Sequence, residues 1–251
     1  MSQVDRKLVK NYFTKKFPVW TVVVGLIGLI TLSGSALFGI ILLAIAGAGL
    51  YFMYFGKATA TDQQVDEAIQ QDCLGAVERG RDKVGIVEEM ELKEPIVIKG
   101  AYYKHVNNET RLLYKRGGDG QLRFSLGQIT VFYITENQLY CYTRVIDFCT
   151  GSTFTETTDE YFYKDIVSVA TLSEKIQVLN EKGLPVTDKK TNQPVVHDVE
   201  VFKLTTSGGT SIQANVQDRT AMSERKGLMD ISMVEEQIKA MRNILREKKA
   251  V

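Results

Sequence analysis

The sequence predicts an α+β, mainly β protein with an N-terminal transmembrane helical hairpin, a linker helix, and an antiparallel β-barrel or sandwich closed by a C-terminal α-helix. Three observations predict it. Residues 17–56 carry no charged side chain. From residue 95 onward, β-rich segments alternate with turn clusters at the spacing of antiparallel strands. Residues 232–248 then repeat apolar side chains at helical spacing. The expected segments are 1–17, a basic juxtamembrane stretch; 18–56, the hairpin; 57–92, the linker helix; 93–218, the β-domain; and 219–251, the closing helix.

The uncharged run cannot be one straight helix. Its 40 residues would extend about 60 Å, roughly twice the hydrocarbon thickness of a bilayer. Ser33-Gly34-Ser35 near its middle supplies a turn of small residues. One helix is expected to end at Leu32, and another to run from Ala36 to Phe55. Re-entry without crossing is the alternative, because the first arm is short. Trp20 at one end and Tyr51 and Tyr54 at the other would share an interface. Glycines and alanines in both arms permit close helix approach, within the hairpin or between copies.

Arg6, Lys7, Lys10, Lys15 and Lys16 precede the run and Lys57 follows it, while the turn is uncharged. The positive-inside tendency then places both termini on the cytoplasmic side of an inner membrane. Lys7, Lys10, Lys15 and Lys16, interleaved with Tyr12, Phe13 and Phe17, suit an interfacial segment on anionic membrane lipid. Three cysteines, 73, 141 and 149, fit no metal or redox spacing and agree with a reducing compartment.

Residues 61–84 repeat Val65, Ile69, Cys73 and Val77 every fourth position, with Thr61 or Asp62 as cap. This helix is expected to lean on the β-domain or on a copy of itself, with Gly75 and Gly80 weakening it. Strands are expected at 95–104, in a hairpin around Gly117-Gly118-Asp119-Gly120, in a second hairpin turning at Glu136-Asn137, at 160–172, at 175–179, and in a pair turning at Ser207-Gly208-Gly209. Residues 180–194 read as a polar loop. In the last helix Val234, Ile238, Met241 and Leu245 form the apolar stripe, and Ser232 with Glu235 matches a capping box.

The segments FYITENQLYCY, EYFYKDIVSVATL and VEVFKLTTSGGTSIQANV, with the final helix, resemble the bacterial pleckstrin-homology-like and GRAM-like domains. The resemblance covers residues 95–249 and implies a binding or scaffolding module rather than an enzyme. By analogy with such domains, a lipid phosphate would be held by basic residues of the first strands, here Lys99, Lys104, Arg111, Lys115, Arg116 and Arg123, with Lys115 and Arg116 beside the glycine-rich turn the best placed.

No sequence pattern for phosphate-loop, nucleophile-elbow, zinc-peptidase or dithiol chemistry is present. His105 and His197 have no metal-spaced partner, and Cys141 between two strand tyrosines reads as packing. No cofactor or metal is expected. The net charge of +1 gives no field for nucleic acid. The expected role is a non-enzymatic, membrane-anchored binding module with membrane lipids, an unidentified protein and further copies of itself as partners. The alternatives are a subunit of an oligomeric channel or transport assembly, or an anionic-lipid sensor.

Overall fold

The computed structural model describes residues 4–14, 19–56, 58–107 and 110–249. Helix and antiparallel sheet are mixed. In chain order the helices are α1 (Arg6–Thr14), α2 (Val19–Thr31), α3 (Ala36–Phe55), α4 (Asp62–Val84), α5 (Arg219–Arg225) and α6 (Ser232–Lys249). The strands are β1 (Ile96–Ala101), β2 (Tyr114–Arg116), β3 (Leu122–Phe124), β4 (Leu126–Ile134), β5 (Gln138–Asp147), β6 (Ser152–Phe162), β7 (Ile166–Gln177), β8 (Val196–Thr206) and β9 (Ser211–Asp218).

The α2–α3 hairpin turns at Ser33-Gly34-Ser35, as expected. Gly34 and Ser35 N–H groups donate to Thr31 O, and Ser33 Oγ donates to Ile30 O. The two arms pack closely where side chains are smallest. A Cβ on Gly39 would meet Gly28 O and Leu32, and one on Gly49 would meet Thr21 and Trp20. Those glycines serve the internal seam, whereas Ala44, Gly47 and Ala48 face outward. The first arm, α2, has 13 described residues, the short arm expected. Among the described residues no single helix is long and apolar enough to cross a membrane; α1 and α2 together reach that length but are bent by 54°.

The β-strands form a four-stranded sheet of order β1-β4-β5-β6, a three-stranded sheet of order β7-β8-β9, and a separate β2–β3 hairpin, all antiparallel. β9 crosses β1 where Gly100 leaves no room for a side chain against Asn215. The sheets do not close into a barrel, which corrects that half of the expectation. The segment at 160–172 is not one strand: it ends β6, turns at Tyr163–Asp165, and begins β7 in the other sheet. Tyr163 anchors the turn by donating to Thr135 O at 2.6 Å. β6 therefore pairs with β5 only, and β7 with β8 only.

The four-stranded sheet is covered on both faces, which is why β4 is buried at nearly every position. On one face Val65, Ala68, Ile69 and Ala76 of α4 meet Ile129, Val131, Tyr133 and Tyr142. Of the two arrangements expected for this helix, it leans on the β-domain. Thr61 and Gln64 form a reciprocal capping box at its start, and Gly85, at φ 71°, ends it. On the other face Ile98, Phe132 and Cys141 meet Phe202 and Leu204 of the second sheet and Ile238, Met241 and Leu245 of α6. The predicted stripe of α6 is thus its buried face. Its predicted cap is not formed: Asp230 instead accepts from the Ser232 N–H and hydroxyl.

Candidate functional site

The residues singled out for lipid contact cluster where the hairpin joins the β-domain. α1 is amphipathic, and its apolar side is turned to the protein. Val9 and Tyr12 are fully or almost fully buried in the same core as α4, with Leu8 and Phe13 packed against it. Tyr12, expected on the lipid interface, is thus buried in the protein, while Phe13 is partly buried. Both α4 and the β-domain offer α1 an apolar surface, and burying its apolar side there drives the docking.

Polar contacts then fix the helix. Arg6 makes a two-pronged ion pair with Asp72 of α4, at 2.6 and 2.9 Å, and also donates to Phe148 O at 3.0 Å. Tyr12 donates to Asp62 at 2.6 Å, and Lys115 on β2 donates to Tyr12 O at 2.8 Å with its ammonium 3.8 Å from the Tyr12 ring centre. Ala60 N–H donates to Leu8 O, and Asn11 donates to Ala58 O. The chain entering the hairpin and the chain leaving it are therefore stitched together.

Behind this junction lies a carboxylate cluster around Arg123. Its guanidinium, 4 % exposed, pairs with Asp66 and Asp119 at 2.6 Å each. Hydrogen bonds from Arg123 hold Asp119 down to about 2. Burial would raise Asp62, but donation from Tyr12 and the Gly118 N–H, with Arg123 nearby, brings it below its ordinary range. Burial raises Asp72 in spite of Arg6.

Lys7 and Lys10 are exposed on the outer side of α1, and Arg116 is exposed on β2. Lys115 and Arg123, by contrast, are engaged within the protein, and the Gly118 N–H of the glycine-rich turn binds Asp62. Lys15 and Lys16 lie outside the described residues, as does the 108–109 part of the loop after His105.

A second polar cluster was illegible in the sequence, because its members come from positions 103, 114, 197 and 218. One oxygen of Asp218 accepts from Tyr103 at 2.8 Å, from Tyr114, and from His197 Nδ1 at 2.7 Å; its other oxygen caps α5 through Ala221 N–H. Burial would raise Asp218, but these donors bring it below the ordinary range. A carboxylate only accepts, so His197 must carry its proton on Nδ1. Among the described residues no hydroxyl or thiol bonds Nε2, and the cluster cross-links the segment after β1 with β2, β8 and the junction of β9 and α5. Cys141 is fully buried, as packing requires, and all three cysteines are free thiols. No group of three metal-ligating side chains converges among the described residues.

Comparison with family models, with curated proteins and with solved structures returns no match to this chain.

Proposed function

We propose that this chain is a non-enzymatic binding module of pleckstrin-homology-like type, held at the cytoplasmic face of a membrane by the α2–α3 hairpin. The observation that carries the proposal is the surface of that hairpin. Val19, Leu26, Leu29, Ile30, Leu37, Phe38, Ile40 and Phe52 are all more than half exposed. Such a continuous apolar surface is far larger than monomeric soluble proteins leave in water, and lipid would cover it. The hydrogen bond from Asn11 to Ala58 O brings the two ends of the hairpin together, which supports a placement of both on one side. Trp20 and Tyr51, both exposed near that base, suit the interfacial region.

The strand order supports the module type. Setting aside the β2–β3 hairpin as an insertion, a four-stranded and a three-stranded meander remain. The first strand crosses the last, and a helix follows into the core, as the resemblance implies. Exposed Lys7 and Lys10 favour contact with anionic headgroups at the hairpin base. The absence of charge from residues 17–56 speaks against a polar transport path.

The test is extraction of membranes at alkaline pH. The full chain is expected to stay in the pellet, and a chain lacking residues 19–56 to be released; release of the full chain would overturn the proposal. Labelling of Ser33→Cys by a membrane-impermeant maleimide from the outer side measures whether the hairpin crosses or re-enters.

A further inference from the structure

The free edge of β6 bears on what this domain binds. β6 is hydrogen-bonded on one side only. Its 11 residues are exposed except Glu156, which is partly covered, and Tyr161, which is buried. The register is interrupted once, between Val145 and Ile146 of β5, opposite Phe154. From Thr155 to Phe162 it is regular, an open edge of about 27 Å at ~3.4 Å per residue. The outer edge of β7 differs: α6 reaches it through Arg242, which donates to Thr171.

Natural proteins commonly blunt such edges with lysine, proline or a covering element. β6 contains neither lysine nor proline. Its guard is negative charge. Glu156 is already engaged by Tyr142, Arg79 and Lys83, but Asp159 and the Asp165 carboxylate have no hydrogen-bond or ion-pair partner among the described residues. Glu160 has only a long contact from Gln138. Asp159, Glu160 and Asp165 are among the residues lining an open cleft of about 450 Å³ at the C-terminal end of β6, together with Phe162, Thr206, Ser207 and Gly208.

We propose that the β6 edge takes an extended, basic peptide segment of a partner protein, which adds as a fifth strand to the four-stranded sheet and places a lysine or arginine in the cleft. Backbone groups of β6 supply the affinity, and the carboxylates select the charge. A second copy of β6 fits poorly. Antiparallel self-pairing centred on Thr158 sets Glu156 opposite Glu160, and centring it between Thr157 and Thr158 sets Glu156 opposite Asp159. Like charges directly opposite are destabilising. The inference rests on the binding-module reading and names the partner class for it.

The test uses the full chain in lipid nanodiscs and a fluorescein-labelled ten-residue peptide of alternating valine and lysine. Fluorescence anisotropy should show saturable binding, with amide exchange slowed at residues 155–162. The valine–glutamate peptide should bind at least 10-fold more weakly. So should a fully N-methylated valine–lysine peptide, which keeps the charge but loses every backbone donor. The Asp159→Asn, Glu160→Gln, Asp165→Asn triple variant, expected to keep its melting temperature, should also lose at least 10-fold. Equal affinity for the N-methylated peptide, or unchanged exchange at 155–162, overturns strand addition. Absence of binding by a chain that still sediments with membranes overturns this inference and leaves the anchoring intact. Release from membranes with peptide binding preserved does the reverse.

Discussion

Two glycines of α4 should respond to the same substitution with opposite sign. Glycine inside a helix costs about 1 kcal/mol relative to alanine, so Gly→Ala on an open helix face stabilises. Gly75 is such a site: the nearest atom to an added Cβ is Arg144 Nη2 at 3.9 Å. Gly80 is not. It is buried where α4 crosses the sheet, and a Cβ there would collide with the Tyr133 hydroxyl and lie 3.0 Å from Tyr142 Cβ. Tyr133 cannot swing aside freely, because its hydroxyl donates to Val77 O at 2.6 Å. Overpacking costs about 1–3 kcal/mol, and losing the Tyr133 hydrogen bond adds about 1 kcal/mol. Subtracting the propensity gain leaves Gly80→Ala destabilised by about 1–3 kcal/mol. For a protein of this size about 2–4 °C accompanies each kcal/mol. Differential scanning fluorimetry of the detergent-solubilised chain should therefore show Gly80→Ala melting about 2–12 °C lower and Gly75→Ala about 2–4 °C higher. If both variants melt higher, the close crossing of α4 over β4 and β5 is wrong.

Three further outcomes are expected. Arg6→Ala should loosen α1 locally: charged hydrogen bonds contribute about 1.5–3 kcal/mol, so cleavage after the exposed Lys7 and Lys10 by a lysine-specific protease should accelerate by about 10-fold or more; an unchanged rate refutes the clasp with Asp72. Arg123→Gln should flatten the acid limb of stability. Asp119 titrates near 2 in the folded chain against 3.8 ordinarily, so between those values the unfolded chain binds more protons. The contribution is complete above about pH 4 and lost as pH falls toward 2; a melting temperature with the same slope in that window for both proteins would sink the assignment. Thr61→Ala should cost about 1 kcal/mol through loss of the α4 cap, while Thr61→Ser keeps it, as thermal melts of the two can establish.

Legibility followed how local each physical cause was. The turn at Ser33-Gly34-Ser35 and the turns at Gly117–Gly120 and Ser207–Gly209 depend on a few adjacent residues, and they lie where the sequence places them. The stripe of α6 was legible for the same reason. The expected strand at 160–172 was misread because aromatic and β-branched residues lie on both sides of Lys164-Asp165; the turn there is held by Tyr163, tied to Thr135 earlier in the chain. The strand at 152–162 was missed because STFTETTDEYF, exposed almost throughout, lacks the buried face that produces alternation. The Ser232–Glu235 motif lost to Asp230, which lies two residues earlier and caps the same end.

For the candidate site the division is sharper. The basic stretch before the hairpin offered Lys7 and Lys10 to lipid, and the family resemblance implied Lys115, Arg116 and Arg123 as phosphate contacts. The fold leaves Lys7, Lys10 and Arg116 exposed but turns Lys115 and Arg123 inward to Tyr12, Asp66 and Asp119. Charge is a property of the residue, whereas its availability depends on which carboxylate the chain brings within 3 Å. Alone, the sequence determined the uncharged hairpin, the β-rich domain and the helix that packs into it, since each follows from hydrophobic pattern and turn chemistry along a short stretch. Tertiary structure decided that α1 docks on the β-domain, that the sheets stay open, and that β6 keeps a free edge. Those outcomes depend on pairings across 50 or more residues, such as Tyr12 with Asp62 and Arg6 with Phe148, which no local pattern encodes.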